Sequence, residues 1–592
     1  MISRKEAIGL AGFFGAVAIA PAFLEPFHVI LIANTALYAL FTLSVCAIVS
    51  YAGQFGLLQP VFATLSGYMM GIAIAHWHWQ LAPAVVAGLA LSMLVAAVIA
   101  TFIFRLQGFY LAIGTLLLTL LVPLIVANQF EAWTNGYFGL QLSSASLGGF
   151  AMSDLATRYY VMWGLVAGVA IFFANLERTR IVRAARAVKA NQATAQLAAI
   201  NPWRVKAGMF MLSSLVAAMA GIMGTLSLQF IDVNTFDINL VILIFAAVII
   251  GGRGNLWGAL VGAVFITVSN QILGLFQEKG TLLYGLTVIA ILVLLPDGLI
   301  ALPAVVLRQW RRGRPGPELA KVLVAAALPQ ERLPDVDEAG SGPILELDNV
   351  TVRFDAFAAV QDVSFSLKRG SIVALLGPNG AGKTTIFNAI TGYSRPTVGS
   401  VKFDGQDITG MSTYRIRRAG ISRTLQNPHI FTELTVWQNI ALGADFLYDN
   451  GMLASGLSLP RARRNERRIE AAACALAARV GLSEMAHRSA RELSFGQSRL
   501  VDVARTLAGS AQLLLLDEPF AGLSPSMIET VKEILLDLRQ SGHSILLIDH
   551  NFQHVSEICS YGVLVVGGRV SRQGATGQLL SDEVVIKEYV GV

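Results

Sequence analysis

Eight residues near the middle of the chain, Gly377, Pro378, Asn379, Gly380, Ala381, Gly382, Lys383 and Thr384, satisfy the pattern G-x-x-x-x-G-K-[ST] in full. Glycines at this spacing let successive backbone N–H groups converge on phosphate oxygens, and a helix opening at Thr385 adds its dipole. Lys383 is placed to reach the β- and γ-phosphates, and the Thr384 hydroxyl to hold Mg2+. A second run, LLLLDEP (Leu513–Pro519), ends in two acids. Asp517 suits the shell of the same metal ion. Glu518, one residue on, suits orienting or deprotonating an attacking water. Unpaired carboxylates at the end of a buried strand cost free energy and give no structural benefit. The chemistry these residues spell is binding and hydrolysis of ATP with Mg2+.

The elements that must hold them follow from the flanking residues. IVALLG (Ile372–Gly377) is an apolar strand leading into the glycine-rich loop, which is the strand–loop–helix context the motif requires. The four leucines before Asp517 make a buried parallel strand. LSFGQ (Leu493–Gln497) precedes that strand and opens a helix, SRLVDVARTLA. Gln426 lies in SRTLQNP, and His550 closes the run LLIDH.

Stepping further out, the 592 residues are too many for one ordinary domain. They are 55% hydrophobic and 14% charged, against about 25% charged for soluble chains. The deficit falls in residues 1–302; residues 344–592 read as a soluble α/β domain, and the Pro-, Gly- and charge-rich residues 303–343 as a linker. Apolar runs at roughly 8–25, 28–51, 57–77, 81–105, 109–128, 159–175, 208–233, 238–275 and 282–302 predict eight to ten membrane spans. The run 238–275 is interrupted by GGRGNLWG (Gly251–Gly258) and reads as two. The first run follows Arg4 and Lys5, which also fits a signal peptide; an uncleaved first helix is expected.

The net charge of +6 is explained by topology better than by nucleic acid, since no basic stripe is interleaved with aromatics. Arg178, Arg180, Arg183, Arg186, Lys189, Arg204 and Lys206 crowd one connection, and Arg308, Arg311, Arg312 and Arg314 follow the last run. Both read as cytoplasmic. The stretch 183–206 is alanine-rich and helical up to Pro202, which suits a coupling helix that docks on the ATPase. Acids and bases are nearly absent from the span centres, which argues against an ion-coupled carrier. SLVAAMAGIMGTLS (Ser214–Ser227) reads as a helix-packing face and TNGYFG (Thr134–Gly139) as a turn. Cys46, Cys474 and Cys559 have no metal spacing and are expected as free thiols.

LSFGQ resembles the signature sequence of ABC transporter ATPases, commonly LSGGQ, with Phe495 in place of the first glycine. The resemblance covers residues 344–592. It implies a head-to-tail dimer in which Ser494, Phe495, Gly496 and Gln497 meet the ATP held by another ATPase domain. It implies further that Gln426 senses the γ-phosphate, contacts Mg2+ and faces the membrane domain, and that His550 is the switch histidine. Ala521–Pro525 would be the D-loop, with Ser524 where many relatives have Asp. Phe354 stands where an aromatic stacks on adenine, with Phe357 as a rival. In the membrane half, RLQGFYLAI (Arg105–Ile113), INPWRVK, AGIMGTL, VIIGGRGNLWGALVGA and LPDGLIALP resemble the permease of branched-chain amino-acid ABC importers.

The resemblances imply an ATP-driven importer subunit of a bacterial inner membrane, polytopic and all-α in its first part, with a cytoplasmic ATPase. Branched-chain amino acids or related small amino acids and amides are the implied solutes, with urea or aromatic acids as alternatives and an exporter as the rival class. The implied partners are a second permease and a second ATPase, or a second copy of the chain, together with a periplasmic solute-binding protein. Membrane lipid surrounds the spans, and no nucleic acid is involved.

Overall fold

The structure is a computed structural model of the chain, and it describes residues 4–54, 56–104, 108–142, 146–147, 150–151, 154–252, 256–274, 280–295, 298–301, 342–355, 357–448 and 450–581. The expected linker 303–343 lies, apart from Gly342 and Pro343, outside the described residues, as do the arginines at 308–314 and residues 105–107. Two compact units emerge from the contacts. One comprises Met1–Ala185, Trp203–Ala320 and Met452–Leu459; the other comprises Arg186–Pro202, Lys321–Gly451 and Pro460–Val592. Two segments thus cross the boundary expected from the sequence: Arg186–Pro202 belongs with the soluble unit and Met452–Leu459 with the apolar one.

The helices of the first part are α1 (Arg4–Ile19), α2 (Pro26–Val45, continuing as a π-helix through Tyr51), α3 (Gln59–Ala75), α4 (Leu81–Ile103), α5 (Phe109–Gln129) and α6 (Leu155–Leu176). They continue with α7 (Arg180–Ala190), α8 (Gln192–Leu197), α9 (Pro202–Leu228), α10 (Ile238–Gly251), α11 (Leu256–Gly274) and α12 (Gly280–Leu294). Among the described residues five are long and apolar enough to cross a membrane: α2 with its π extension, α4, α5, α6 and α9. The sequence runs promise more; α1, α3, α10 and α12 are 16, 17, 14 and 15 residues long. The run 238–275 breaks at Gly251: a Cβ there would stand 1.9 Å from the Gly258 carbonyl oxygen, so the backbones of α10 and α11 meet with no room for a side chain. The 14 residues of α10 span roughly 21 Å, short of a full bilayer core.

Small residues bring these helices together, and hydroxyls tie them. A Cβ on Gly221 of α9 would sit 2.3 Å from the Ala63 Cα of α3, and Ser66 donates to the Ala218 carbonyl at 2.9 Å. Thr42 of α2 donates to the Ala259 carbonyl of α11 at 2.9 Å.

The soluble unit is α/β. Its strands are β1 (Leu345–Phe354), β2 (Phe357–Leu367), β3 (Ile372–Leu376), β4 (Val398–Phe403), β5 (Gln406–Asp407), β6 (Ile421–Arg423), β7 (Leu513–Asp517), β8 (Ser544–Ile548), β9 (Tyr561–Val566) and β10 (Arg569–Ala575). A six-stranded sheet runs β6-β7-β8-β3-β9-β10, parallel except for its last pair. A four-stranded antiparallel sheet runs β2-β1-β4-β5. Every residue of β3, β7 and β8 is buried, and alternate side chains enter opposite cores. Leu514 and Leu516 of β7 join Ile372, Ala374 and Leu376 of β3 on one face. Leu513 and Leu515 join Val373 and Leu375 on the other. The helices around this sheet include α13 (Lys383–Ile390), α14 (Thr413–Ala419), α15 (Val436–Ala441), α16 (Pro460–Arg479), α17 (Phe495–Leu507), α18 (Pro525–Gln540) and α19 (Phe552–Ile558).

Candidate active site

The parallel sheet delivers its functional residues at the C-terminal ends of three strands, which is where open α/β sheets bind ligands. The loop after β3 carries the glycine-rich motif into α13. Gly377 (φ +148°) passes so close to β9 that a Cβ would stand 2.1 Å from the Val565 oxygen. The register Asp517↔Ile548 between β7 and β8 sets Asp517 and Glu518 beside Ile548, Asp549 and His550. A cavity of about 660 Å3 opens there, lined by Asn379–Thr385, Gln426, Asp517, Glu518, Ile548 and His550, with Phe357 and Ala359 on its rim.

One carboxylate oxygen organises the cavity. Gln426 Nε2 donates to Glu518 Oε1 at 3.1 Å, and His550 Nε2 lies 3.0 Å from the same oxygen. Glu518 sits in the left-handed region (φ +49°), and its N–H donates to the Ile548 carbonyl at 2.8 Å. A glutamate held at positive φ stores strain of a kind that clusters at functional sites. Lys383 is buried, and its Nζ donates to the carbonyls of Gly377 at 2.6 Å and Pro378 at 2.9 Å. Burial lowers its pKa, while Asp517 and Glu518 pull it back up.

Asp517 is buried at the end of β7. Burial pushes its carboxyl above the usual range, and Arg423 opposes the shift. Among the described residues its Oδ2 accepts no hydrogen bond, although Arg423 Nη2 stands 3.7 Å away. An orphaned carboxylate oxygen in a polar cavity, with the Thr384 hydroxyl and Gln426 on the same wall, fits a divalent cation.

The other expected residues fall into place in two ways. Ser494 caps α17, accepting from the Gln497 N–H at 3.3 Å while Gln497 Oε1 accepts from the Ser494 N–H at 3.0 Å. None of residues 494–497 lines the cavity, and Ser494 and Phe495 are exposed. Phe354, expected as the adenine platform, pairs with Phe357 where β1 turns into β2, and it is Phe357 whose side chain lines the cavity. The two are directly opposed across β1 and β2, and sequence alone left both open.

A set of buried charges went unnoticed in the sequence. Arg499 donates to the Leu425 carbonyl at 2.7 Å and to that of Gln426. Asp502 accepts from the Leu425 N–H at 3.3 Å and from Arg505, which also donates to the His429 carbonyl at 3.0 Å. Arg423 holds Asn388 at 2.7 Å and Thr391 at 3.1 Å on α13. The available signal was charge at i, i+3 and i+6 on α17, one face of an otherwise apolar helix.

Within the same unit, α8 packs beside α14, and Ala195, Ala198, Ala199 and Ile200 are buried. Thr194, Leu197 and Ala198 wall a small space with Ser422, Arg423, Leu425, Gly443, Asp502 and Arg505. Lys189 Nζ pairs with Glu433 at 3.0 Å. Ala199 is at φ +60°, unusual for a residue with a Cβ.

Residues 360–521 match the family described as ABC transporter, and residues 28–295 match the family described as branched-chain amino acid transport system, permease component. Over 252 residues the chain is 36% identical to the high-affinity branched-chain amino acid transport ATP-binding protein BraF of Pseudomonas aeruginosa, covering 42% of this chain and 99% of that one. The corresponding LivG of Escherichia coli is 34% identical over 252 residues, with the same coverage. The lipopolysaccharide export system ATP-binding protein LptB of Haemophilus influenzae is 33% identical over 248 residues, covering 42% of this chain and 97% of that one. These relatives are matched almost end to end by the soluble half alone, whereas here a permease shares the polypeptide. The chain therefore belongs to the ABC transporters, as a fused permease and ATPase that hydrolyses ATP to power transport.

Proposed function

We propose that the chain is the combined permease and ATPase of an importer that moves branched-chain amino acids, or related small amino acids and amides, across a bacterial inner membrane. One observation carries this reading: the permease match and the ATPase most like BraF and LivG occur in a single chain. The likeness to LptB means that the ATPase alone does not set the direction of transport, so direction rests on the permease. The arginines and lysines between α6 and α9 support a cytoplasmic side for that connection and for the ATPase.

In this reading Asn379–Thr385 cradle the phosphates and Lys383 leaves the two loop carbonyls for the β- and γ-oxygens. Phe357 takes the adenine-side wall, with Phe354 paired to it across the strands. Thr384, Asp517 and Gln426 hold Mg2+, which supplies charge neutralisation on the phosphates. Glu518, oriented through Oε1 by Gln426 and His550, uses its other oxygen to take a proton from the attacking water. Ser494 and Phe495 are exposed, and in this reading they complete the site of another ATPase together with Gly496 and Gln497, so two ATPase domains and two permeases are needed. The second pair comes from different subunits or from a second copy. The segment 183–206 transmits the change in this reading: Thr194 and Leu197 of α8 line one small space with Arg423 and Leu425, the latter next to Gln426.

The span centres offer few charges, so selection falls to a periplasmic binding protein. The test is uptake in proteoliposomes with the cognate binding protein supplied. Leucine, isoleucine or valine entering only with that protein and ATP supports the reading. Entry of another solute class instead overturns the branched-chain assignment. Uptake at full rate without the binding protein overturns the importer. The mass of the complex from its native host separates a homodimer from a mixed assembly.

A further inference from the structure

Arg423 closes β6 and reaches both elements that carry candidate metal ligands, β7 and α13. On one side is Asp517, whose main chain is fixed from the strand next to it. Its N–H donates to the Thr424 hydroxyl at 2.9 Å, and the Thr424 N–H donates to the Leu515 carbonyl at 3.0 Å. On the other side Thr384, Asn388 and Thr391, four and three residues apart, share one face of α13 and its cap. Thr384 lines the cavity, and the two residues behind it hold the arginine.

The hold has a definite geometry. Arg423 Nη1 donates to Asn388 Oδ1 at 2.7 Å and to Thr391 Oγ1 at 3.1 Å. Thr391 gives its own hydroxyl proton to the Phe387 carbonyl at 2.8 Å, so toward Arg423 it can only accept. The guanidinium carbon also lies 5.4 Å from the centre of the Phe387 ring. These anchors, all on α13 or its cap, leave Nη2 3.7 Å from Asp517 Oδ2. Charge-assisted N–H···O bonds form at about 2.7–2.9 Å, so the guanidinium stops roughly 0.8 Å short of one. Both side chains are buried, where opposite charges attract strongly. The bonds to Asn388 and Thr391 oppose that attraction.

We propose that Asn388 and Thr391 hold Arg423 back from Asp517 and so keep Oδ2 open to a divalent cation. At 3.7 Å the guanidinium still offsets the charge of the buried carboxylate. At hydrogen-bond distance it would occupy a lone pair that a hard cation needs. Asn388 and Thr391 are therefore positioning residues, acting through Arg423, and they sit on the same helix as the Thr384 hydroxyl. This rests on Asp517 as a metal ligand, as proposed above.

The test titrates a fluorescent, non-hydrolysable ATP analogue into the full chain in nanodiscs, once with EDTA and once with Mg2+. The ratio of the two dissociation constants is the magnesium effect, and the EDTA value itself reports an intact nucleotide pocket. N388A/T391V should cut the ratio by about tenfold, the order of one charge-assisted hydrogen bond to Asp517, and leave the EDTA value nearly unchanged. N388A alone should show the same change at smaller size. Adding R423M, which leaves no donor to close on Asp517, should bring the ratio back to the wild-type value. An unchanged ratio in N388A/T391V overturns the proposal. Failure of R423M to restore the ratio also overturns it, because damage to α13 is not repaired by losing another side chain. D517N tests the ligand separately: a wild-type ratio there removes Asp517 from the metal site, and the proposal falls with that assignment. Neither readout depends on transport, so failure of the importer reading is seen separately.

Discussion

Arg499 holds the main chain of Gln426: a guanidinium with 1% exposure, on the helix that opens with Ser494–Gln497, donates to the carbonyl of a residue that touches Glu518. The helix capped by Ser494 and the carboxylate of Glu518 are therefore joined by two hydrogen bonds, through Gln426. Arg499→Lys keeps the charge but loses the planar fork that spans the carbonyls of Leu425 and Gln426. The expected outcome is nearly unchanged ATP affinity with kcat about tenfold lower, equivalent to about 1.4 kcal/mol. Arg499→Met strands both carbonyls, and should lower stability by about 2–4 kcal/mol. ATPase kinetics and thermal unfolding separate the two effects.

Glu518→Gln should still bind ATP while hydrolysing it about 100- to 10,000-fold more slowly, because the water loses its base. Lys383→Ala should instead weaken nucleotide binding itself. Nucleotide titration beside steady-state hydrolysis checks both, and normal turnover by Glu518→Gln in a purified complex would refute its assignment as base.

Ala195 has no exposed surface, and the space beside α8 is lined by Arg423 and Asp502. Ala195→Leu should lower uptake about tenfold or more while basal hydrolysis stays within about twofold, since overpacking moves the helix by a methyl group's width or more. Ala199→Gly relieves a positive φ and should leave uptake intact or improve stability by up to about 1 kcal/mol. Uptake and ATPase rates compared at equal protein abundance decide this.

His543 is partly buried, with Nδ1 2.7 Å from the Ala511 carbonyl oxygen. Burial lowers its pKa from the ordinary 6.5, the hydrogen bond opposing. As pH falls below 6.5 the unfolded chain takes up this proton before the folded one. The contribution is thus present above 6.5 and is lost as pH drops through the depressed folded value. Asp517 and Asp549, raised chiefly by burial, have the opposite sign, gaining stability as pH falls through their raised values. The difference between wild type and His543→Gln cancels those acids. Melting of both at about pH 7.5 and 5.5 should show the smaller loss in the variant.

Glycines before a helix and acids after four leucines were legible because local backbone chemistry requires those residue types in that order. The buried guanidinium groups were not. Arg423, Arg499 and Arg505 read as solvated charges until folding brings backbone carbonyls from 425–429 around two of them and Asn388 around the third. The split of the run 238–275 was legible in GGRGNLWG, and two helices, α10 and α11, stand there; the close approach of their backbones at Gly251 was not. The helicity of 183–206 was readable from its alanines.

The place of Met452–Leu459 also sets an order in time. A ribosome finishes α12 long before it reaches Met452, so the membrane part leaves synthesis with Phe172 and Gly208 uncovered. The last piece of that core arrives from within the nucleotide-binding sequence, after the glycine-rich loop has been made. A product truncated after the permease would keep its helices and still present an unfinished surface to proteases, which gives the cell a way to tell a complete transporter from half of one.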